Sequence, residues 1–412
     1  MPDDADLRAT LAAFCAVQNA VSAAAFHGGQ PLRAVALQRA VYHQVKGTLS
    51  SQLTITALRL VAGAYASATR TYARRVRAEA RRTARYEAKG WTYQPRHIKP
   101  VGVCAFTRPA ALFRVGERGR DADVRADGTL SIWTVAGRKR RRYTVPTALR
   151  PLFDAAQAID AVTVIARQGK LYGRVALTLT APAPLGIVPV GIDLNETNAV
   201  VAVDADGGAL FQSGKATKVR NSRTLQTTQR VQRTLAAKKA EGADTHGVRR
   251  VLKRLAGRRR RRTQDFARVA AKRLVGWAPV TAILIFEDLQ HLQRPDRALT
   301  RGVALRRRLS CWQHGAMRRA VANKAQLAGL ALATVNPAYT SRNCSRCGVR
   351  GTRHRHTFTC PSCGHTQHAD VNAATNIRNR SVQSRLDGAS STAPEALPLV
   401  GEGKLPPSGG GC

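Results

Sequence analysis

The sequence has few acidic and few aromatic residues for its length. Among its 412 residues, 25 are Asp or Glu and 67 are Lys or Arg, which gives a formal net charge of +42. This excess is larger than solubility requires and indicates a polyanionic partner, of which nucleic acid is the foremost. Because aromatic residues make up only 5% of the chain, stacking on aromatic side chains cannot be the main means of binding a single strand.

The sequence also lacks long hydrophobic runs and a secretory signal. Its most apolar N-terminal stretch, residues 7–26, follows aspartates where a signal peptide carries positive charge, and polar residues interrupt it. No run is long enough to span a bilayer, and no basic amphipathic helix stands next to a hydrophobic anchor. We therefore expect no membrane partner and a location in the bacterial cytosol or nucleoid.

Cysteine is sparse, and its placement is informative. Eight cysteines in a chain of this length are not a disulfide framework, which favours the reducing cytoplasm. Four of them form two pairs, Cys344-x-x-Cys347 and Cys360-x-x-Cys363, separated by twelve residues. This spacing is typical of a zinc ribbon, and four thiolates close the coordination shell. The pattern predicts one structural Zn²⁺, with no vacancy for the histidines nearby.

The first 185 residues show two successive secondary-structure patterns, first helical and then strand-like. Apolar residues recur at helical spacing from Leu7 to Val21, and a second long helical pattern follows a Gly- and Pro-containing break at 27–31. From residue 96 the pattern changes to strands, with a hairpin of 130–135 and 142–145 and another of 161–166 and 171–180. Successive hairpins predict a small barrel or a curled sheet.

The second half alternates strands and helices. The patterns predict a three-strand meander from residue 187, then basic helices, a strand over 280–286, a helix, a strand over 330–335 and a last helix from 370. This order is the layout of a ribonuclease-H-like sheet. The strands that start at 187 and 280 would lie side by side, about 4.8 Å apart.

Three separated acids stand at the ends of these elements. Asp193 and Glu287 each end a predicted strand, and Asp370 opens the last helix. Open α/β sheets place their sites at the carboxyl ends of strands, and three carboxylates there can hold a pair of Mg²⁺ ions that cleave phosphodiester bonds. Taken singly, each acid also has a structural explanation, as a turn residue or a helix N-cap. Asp288 competes with Glu287, because adjacent strand residues point to opposite faces.

At these residues the chain resembles the TnpB family, the OrfB-type proteins of insertion sequences, which are relatives of the type V CRISPR effectors. The resemblance is specific over about 187–380 and weak before it. It is carried by GIDLN at 191–195, FEDL at 286–289, NPAYTS at 336–341, CSRCG at 344–348, CPSCG at 360–364 and ADVNAATNI at 369–377.

The resemblance implies a RuvC-type nuclease site formed by Asp193, Glu287 and Asp370, and it favours Glu287 over Asp288. It also implies a guide RNA that pairs with target DNA, while the protein reads a short flanking motif. Two positions differ from many relatives: Asn195 stands where they have Gly, and His368-Ala369 precedes Asp370 where transposon members have Asp-Arg.

We therefore expect a multidomain α/β protein with an RNase H-like (RuvC) nuclease domain, an inserted zinc ribbon, a preceding helical domain and a small β-barrel. The expected boundaries are 1–95 for the helical recognition domain, 96–185 for the wedge-like barrel, 186–338 and 366–380 for the two nuclease parts, with a basic helical insert over 215–278, 339–365 for the zinc ribbon and 381–412 for a disordered tail.

The expected activity is RNA-guided, Mg²⁺-dependent DNA cleavage of the transposon-associated type. A compact type V CRISPR effector, a guided DNA-binding repressor with little cleavage and a DNA-strand transferase are the alternatives. A basic stretch is expected to contact nucleic-acid phosphates. Its members are Lys253, Arg254, Arg258, Arg259, Arg260, Arg261 and Arg262.

Overall fold

The computed structural model describes residues 4–27, 30–116, 121–289 and 312–386, together with positions 302 and 305. Its contacts divide the chain into two compact units, with the boundary between Thr180 and Ala181. None of the helices in these ranges combines the length and the apolar character that crossing a bilayer requires.

The helices of the first unit follow the predicted pattern. Leu7, Phe14 and Val21 lie on the buried face of the first helix, as their spacing predicts. At the predicted break, the two-residue strands β1 (Phe26–His27) and β2 (Gln30–Pro31) pair with each other. The helices are α1 (Ala5–Ala25), α2 (Ala34–Val45), α3 (Ser51–Glu87) and the short α4 (Arg150–Asp154), which follows a 3-10 turn at Thr147–Leu149.

The strands of the first unit form two three-stranded antiparallel sheets, in the orders β3-β7-β8 and β4-β5-β6. A single closed barrel is not present in this part of the described chain. The strands are β3 (Ala110–Arg114), β4 (Ala122–Val124), β5 (Thr129–Thr134), β6 (Gly137–Arg142), β7 (Ala158–Arg167) and β8 (Lys170–Thr178).

The second strand of the first hairpin was predicted at 142–145 and lies at Gly137–Arg142. Gly137 adopts a φ of 86° directly after a two-residue turn and pairs with Thr134. The prediction was wrong because the strand is a basic run with low strand propensity. Its pairing is set instead by the turn and by the partner strand β5.

One hydrophobic core serves both the helices and the sheets of the first unit. Phe14 of α1, Tyr65 of α3 and Phe113 of β3 belong to the same cluster of buried side chains, as do Ile132 of β5 and Val164 of β7. The expected helical domain over 1–95 and barrel over 96–185 therefore share a core, and their separation into two domains stays a prediction.

A five-stranded sheet forms the centre of the second unit, in the order β11-β10-β9-β12-β13. The first three strands are the predicted antiparallel meander, and β12 runs parallel to both β9 and β13. The predicted pairing of the strands that end in Asp193 and Glu287 is thereby confirmed. The strands are β9 (Val188–Asp193), β10 (Asn198–Val203), β11 (Ala209–Ser213), β12 (Ala282–Glu287) and β13 (Ala331–Val335).

Helices cover both faces of this sheet. On one face, Ile192 and Leu284 pack in a single cluster with buried residues of α6 and α7. On the opposite face, Ile285 packs against Ile377 of α8, and Val201 packs against Ala374 of the same helix. The helices are α5 (Lys215–Ala240), α6 (His246–Trp277), α7 (His314–Leu327) and α8 (Ala369–Leu386).

A three-stranded antiparallel sheet lies between β13 and α8 and holds the cysteine pairs. Its strands are β14 (Thr352–His354), β15 (Thr357–Thr359) and β16 (Thr366–His368). Helix α8 follows at once and continues to Leu386. The predicted disordered tail was therefore wrong over 381–386, because the helix that begins at Ala369 extends past the expected boundary; 387–412 lie outside the described residues.

Gly191 sets the distance between α8 and the sheet. A Cβ at this position of β9 would collide with the carbonyl oxygen of Ala374 and with the backbone nitrogen of Arg378. Only glycine lets the helix backbone lie this close to the strand. Since α8 carries Asp370 and β9 ends in Asp193, this contact also sets the separation of the two acids.

Gly191→Ala should lower the free energy of unfolding of the second unit by about 1–3 kcal/mol, the range for overpacking a well-packed contact. Gly276→Ala is the matched control, because Gly276 lies exposed in α6 with open space around its Cβ position. The control should be neutral or stabilising by up to about 1 kcal/mol. Denaturant unfolding of the full chain measures both changes, and equal stabilities would contradict the close approach.

Candidate functional site

The three predicted acids converge on one face of the five-stranded sheet. Asp193 and Glu287 are the last residues of neighbouring parallel strands, and the register pairs Ile192 with Phe286 one step before them. Since side chains alternate along a strand, both acids share the face of Gly191 and Ile285, which is the face that α8 covers. Asp370 lies in the first turn of that helix.

Asp193 is buried and carries a strongly perturbed carboxyl group. Burial raises its pKa to about 7, repulsion from Glu287 and Asp370 adds to the rise, and a hydrogen bond from Asn195 opposes it. The amide nitrogen of Asn195 donates to Oδ2 of Asp193 over 3.0 Å. A cation that binds beside such a carboxylate strongly stabilises its charged form.

Glu287 is held by a hydroxyl group. The Oγ1 of Thr340 donates to Oε1 of Glu287, and burial raises the pKa of this acid while the hydrogen bond opposes the shift. Asp288 lies beyond the end of β12, where its backbone N–H donates to the carbonyl oxygen of Val335. The alternation of faces and the repulsion that Glu287 exerts on Asp193 both favour Glu287 as the site residue.

Asp370 is directed into the site and does not cap its own helix. Its Oδ2 accepts a hydrogen bond from the amide of Asn198 over 2.8 Å, and its Oδ1 is 3.0 Å from the guanidinium of Arg353. The side chain is almost completely buried. The N-cap explanation is therefore wrong, because Asp370 lies inside the helix that begins at Ala369 and its carboxylate oxygens bond to Asn198 and Arg353.

The loop between β9 and β10 connects two of these acids. Besides its bond to Asp193, Asn195 accepts hydrogen bonds from the backbone N–H groups of Thr197 and Asn198. Asn198 in turn donates to Asp370. The loop therefore places one amide donor on each acid, which fixes how the carboxylates are oriented.

The sequence did not predict that Asn198, Thr340 and Arg353 contact the acids. It also did not predict that Asn195 accepts hydrogen bonds from the backbone of its own loop. Each lies far from its partner along the chain or belongs to a short polar segment without a chemical signature. The one available signal was Asn195, which departs from the glycine of many relatives immediately after the first acid.

The four cysteines form the predicted cluster, with all four sulfur atoms within 4.8 Å of one another. The sulfurs of Cys344 and Cys363 are 3.7 Å apart, and those of Cys347 and Cys360 are 3.5 Å apart. A tetrahedral shell with Zn–S bonds of about 2.3 Å has sulfur–sulfur edges of about 3.8 Å. The residues thus fit a single structural Zn²⁺.

Local backbone geometry forms a tight turn after each cysteine pair and favours the thiolate of Cys360, whereas sharing of hydrogen bonds with the other sulfurs raises the pKa of Cys347 to about 12. Gly348 and Gly364 follow the second cysteine of each pair with φ values of 75° and 68°, and their N–H groups donate to the carbonyls of Cys344 and Cys360. Backbone N–H groups of Cys363 and Ser362 are the chief groups that lower the pKa of the Cys360 thiol, to about 6. The thiolate that a metal requires is therefore favoured there.

The cysteine-bearing sheet is hydrogen-bonded to the helix that carries Asp370. Asn372 is fully buried, accepts from the backbone N–H of Ser345 and donates to the carbonyl of Asn343. Asn376, one turn further along α8, donates to the carbonyls of Thr340 and Asn343. The first cysteine knuckle is therefore attached to α8 by two asparagine side chains.

Two of the nearby histidines lie beside Asp370. The rings of His356 and His368 are stacked with centroids 5.5 Å apart. The Nδ1 of His368 accepts the backbone N–H of Asp370 over 3.2 Å.

The predicted basic stretch lies on α6, and its members differ in exposure. Lys253, Arg254 and Arg258 are exposed, as are Arg260 and Arg261. Arg259 and Arg262 are partly buried, and Arg262 donates to the side chains of Asn221 and Thr224 on α5. Arg262 thus helps to hold α5 against α6, whereas contact of the stretch with nucleic acid stays a prediction.

The freshly purified protein should contain one zinc ion per chain, as measured by elemental analysis. Cys360→Ser should lose this zinc and loosen the start of α8, detected as faster amide hydrogen exchange around Asp370. Cys15→Ser is the matched control, because Cys15 lies in α1 and its thiol contacts the carbonyl of Phe106. Absence of zinc from the parent would contradict the assignment.

The raised pKa of Asp193 predicts how metal affinity depends on pH. Below about pH 7 this carboxyl is protonated without metal, so metal binding must displace a proton. Lowering the pH from about 8 to about 6 should therefore weaken Mg²⁺ binding about tenfold, as followed by the metal dependence of thermal unfolding. Asp193→Asn should bind more weakly and lose most of this dependence. A parent whose Mg²⁺ affinity does not change with pH would contradict a role for Asp193 as a ligand.

Comparison with known proteins supports the resemblance over the part of the chain that holds the cysteine pairs and Asp370. Residues 314–377 match the family described as "Cas12f1-like, TNB domain". This segment includes α7, β13, the cysteine-bearing sheet and the first half of α8.

Two curated proteins are similar over short regions. A TnpB-like protein of Aquifex aeolicus is 31% identical over 117 residues, which are 27% of this chain and 37% of the relative. The CRISPR-associated endodeoxyribonuclease Cas12f1 of Sulfoacidibacillus thermotolerans is 36% identical over 72 residues, 17% of each chain. The matched regions thus span less than two thirds of either relative.

Among solved structures, a cryo-EM structure of CasPhi-2 (Cas12j) bound to crRNA aligns with 94% of this chain and 97% of its own, at a TM-score of 0.47 and 12% identity. The matched family and the two curated relatives confirm the resemblance of this chain to the TnpB family and to its type V CRISPR relatives.

Proposed function

We propose that the protein is an RNA-guided, metal-dependent DNA endonuclease of the transposon-associated TnpB type. The observation that carries this proposal is the convergence of Asp193, Glu287 and Asp370 on one face of the sheet, where burial and then repulsion from the other two acids raise the pKa of Asp193. In this proposal 186–338 and 366–380 form a RuvC-like nuclease domain, and 339–365 form its zinc ribbon. Domain boundaries in the first unit follow the expectations above, with a wedge-like region after the helices.

The donor set suits two Mg²⁺ ions, because Mg²⁺ prefers hard carboxylate oxygens. When bound, the ions would activate a water and stabilise the attacking and leaving oxygens of an in-line displacement at phosphorus. Asp193 is repelled by both Glu287 and Asp370, so it is the acid whose charged form a bound metal would stabilise most. Glu287 and Asp370 would complete the two shells.

The surrounding residues orient these carboxylates and balance their charge. Asn195 and Thr340 donate to Asp193 and Glu287, which leaves the other lone pairs of each carboxylate for a metal. Arg353 pairs with Asp370 and so reduces repulsion when no metal is bound. Because Arg353 extends from β14 of the cysteine-bearing sheet, the ribbon contributes directly to the electrostatics of the site.

Guide RNA and target DNA are the proposed partners, and the charge of the chain supports this. A net charge of +42 suits a protein that neutralises many phosphates of the guide RNA and of the target DNA. The exposed members of the basic stretch on α6 lie in the same unit as the acids. In guided nucleases the sequence is read by base pairing, so the protein needs mainly backbone contacts.

A compact type V CRISPR effector is the second candidate, because the matched family and one curated relative are of the Cas12f1 type. The same acids and partners would serve it. Genomic neighbourhood separates the two, since a transposon end favours the TnpB type and a repeat array favours the effector. Presence of all three acids disfavours a repressor without cleavage.

The proposal is tested first by sequencing RNA that copurifies with the protein. A defined noncoding RNA whose variable end directs Mg²⁺-dependent cleavage of matching DNA is the expected result. RNA without a common sequence, or cleavage that ignores the RNA sequence, would contradict guidance.

Asp193→Ala should abolish DNA cleavage by the RNA-loaded protein while target binding survives. The substitution deletes a ligand, removes a negative charge near phosphate and leaves the basic surface intact. Glu287→Gln and Asp370→Asn should behave alike. Cleavage rates and gel-shift affinities on the same preparations separate the two effects.

Asp288→Asn is the matched control, since Asp288 is adjacent to the site residue but beyond the end of β12. It should retain cleavage within a few-fold of the parent. Cleavage at the parental rate in Asp193→Ala would overturn the site assignment. Guided binding without cleavage by the parent would favour the repressor.

A further inference from the structure

A cavity of about 230 Å³ lies on the α6 and α7 side of the sheet, next to the loop that follows Asp193, and has no role in the function proposed above. Its walls come from the β9–β10 loop and from helices α5, α6 and α7. The lining residues that matter here are Asn195, Gln226, Phe266, Trp312, Gln313 and His314.

Aromatic side chains line one side of the cavity. The rings of Trp312 and His314 lie 4.7 Å apart at an angle of 41°, and Phe266 of α6 also lines the space. Trp312 and Phe266 are only partly buried, so part of each ring remains accessible to a ligand. In a chain with 5% aromatic residues, this grouping favours a flat, aromatic ligand.

Polar groups line the rest of the cavity and include two buried atoms without hydrogen-bond partners. Among the residues that the structure describes, nothing bonds to Oε1 of Gln313 or to Nδ1 of His314. Buried polar atoms are seldom left in this state, and rotation of the amide or of the ring would present either group to a ligand. Burial lowers the pKa of His314, with Arg318 and Arg319 adding to the shift, so this ring is a neutral donor and acceptor.

The size and charge of the cavity narrow the class of ligand. At about 230 Å³ it is smaller than the 300–1,000 Å³ or so of sites for drug-sized molecules, which suits one planar ring system. Lys218 and Glu196, which also line it, form an ion pair at 3.0 Å. Because the two charges of that ion pair neutralise each other, the lining favours a neutral group with hydrogen-bonding edges over a phosphate.

One side chain contacts both the cavity and the acids. Asn195 lines the cavity and at the same time donates to the carboxylate of Asp193. A strand bound at the acids would therefore pass the loop that forms one wall of the cavity. Unpaired bases are held by stacking between aromatic and apolar side chains and by hydrogen bonds to their edges.

We propose that this cavity binds one unpaired base of the DNA strand that passes the three acids, and so sets which phosphate is presented for cleavage. The proposal rests on the nuclease function proposed above for the strand at the acids. The ligand class, a nucleobase, follows from the aromatic and amide lining. A base of the guide RNA has the same chemistry and is distinguished by the experiment.

The test uses the full chain loaded with its copurified RNA and target DNA in which one abasic nucleotide is moved through each position around the cut. We expect cleavage to fall about tenfold at one position only, the loss for one base stack. Trp312→Ala should slow cleavage of intact DNA by a similar factor, and its cleavage rate should not fall further when the abasic nucleotide is at that position. If the two losses do not add, the substitution and the missing base remove the same contact.

Three further variants keep the test interpretable. Trp312→Phe should restore most of the rate, and Gln226→Ala, at an exposed position, should give a smaller loss at the same position without risk to the core. Thr227→Ala is the control, since Thr227 is the next residue of α5, is exposed and lies outside the lining. It should match the parent at every abasic position.

Binding is measured separately with a single-stranded DNA that carries a fluorescent adenine analogue, so that a failure of cleavage does not obscure the result. Quenching that Trp312→Ala and Gln226→Ala reduce would support the cavity even if the parent does not cut. Equal quenching in all variants, or an abasic penalty that stays in Trp312→Ala, would overturn the proposal. A penalty found only when the abasic nucleotide is in the RNA would overturn the assignment to DNA.

Discussion

Burial of the Asp193 carboxylate beside two other acids is the constraint around which the second unit is organised. Burial disfavours the charged form of Asp193, and Glu287 and Asp370 add to that cost. The structure offsets it with donors to each acid: the amides of Asn195 and Asn198, the hydroxyl of Thr340 and the guanidinium of Arg353. These donors lower the repulsion without neutralising the site, so a divalent cation remains the strongest stabilising partner.

Because Asp370 lies on a helix and the other acids lie on strands, the site depends on how α8 is held. Gly191 allows α8 to approach β9 closely, and Asn372 and Asn376 attach it to the first cysteine knuckle. The cysteine cluster can thereby act on the acids, since loss of the knuckle would release the helix that carries Asp370. This gives a physical reason for a structural metal in the nuclease domain proposed above.

The elements with strong local signals were predictable from the sequence, and those set by distant contacts were not. Buried strands ending in Asp193 and Glu287 and the two cysteine pairs each carry a pattern of periodicity or spacing, and the structure brings them together. The strand Gly137–Arg142 has no such pattern and depends on its partner. The bond between Arg353 and Asp370 spans seventeen residues and joins two elements, so no local property of either residue predicts it.

The β9–β10 loop unites the features that distinguish this chain. Asn195 stands where many relatives have glycine, and a glycine has no side chain that could donate to Asp193 or accept from the backbone N–H groups of Thr197 and Asn198. The same residue forms part of the cavity wall. In this chain, therefore, the orientation of the first acid and the shape of the neighbouring cavity depend on one amide. A substitution there would change both the hydrogen bonding of Asp193 and the room in the cavity, so the two proposals made above can be tested together at this residue.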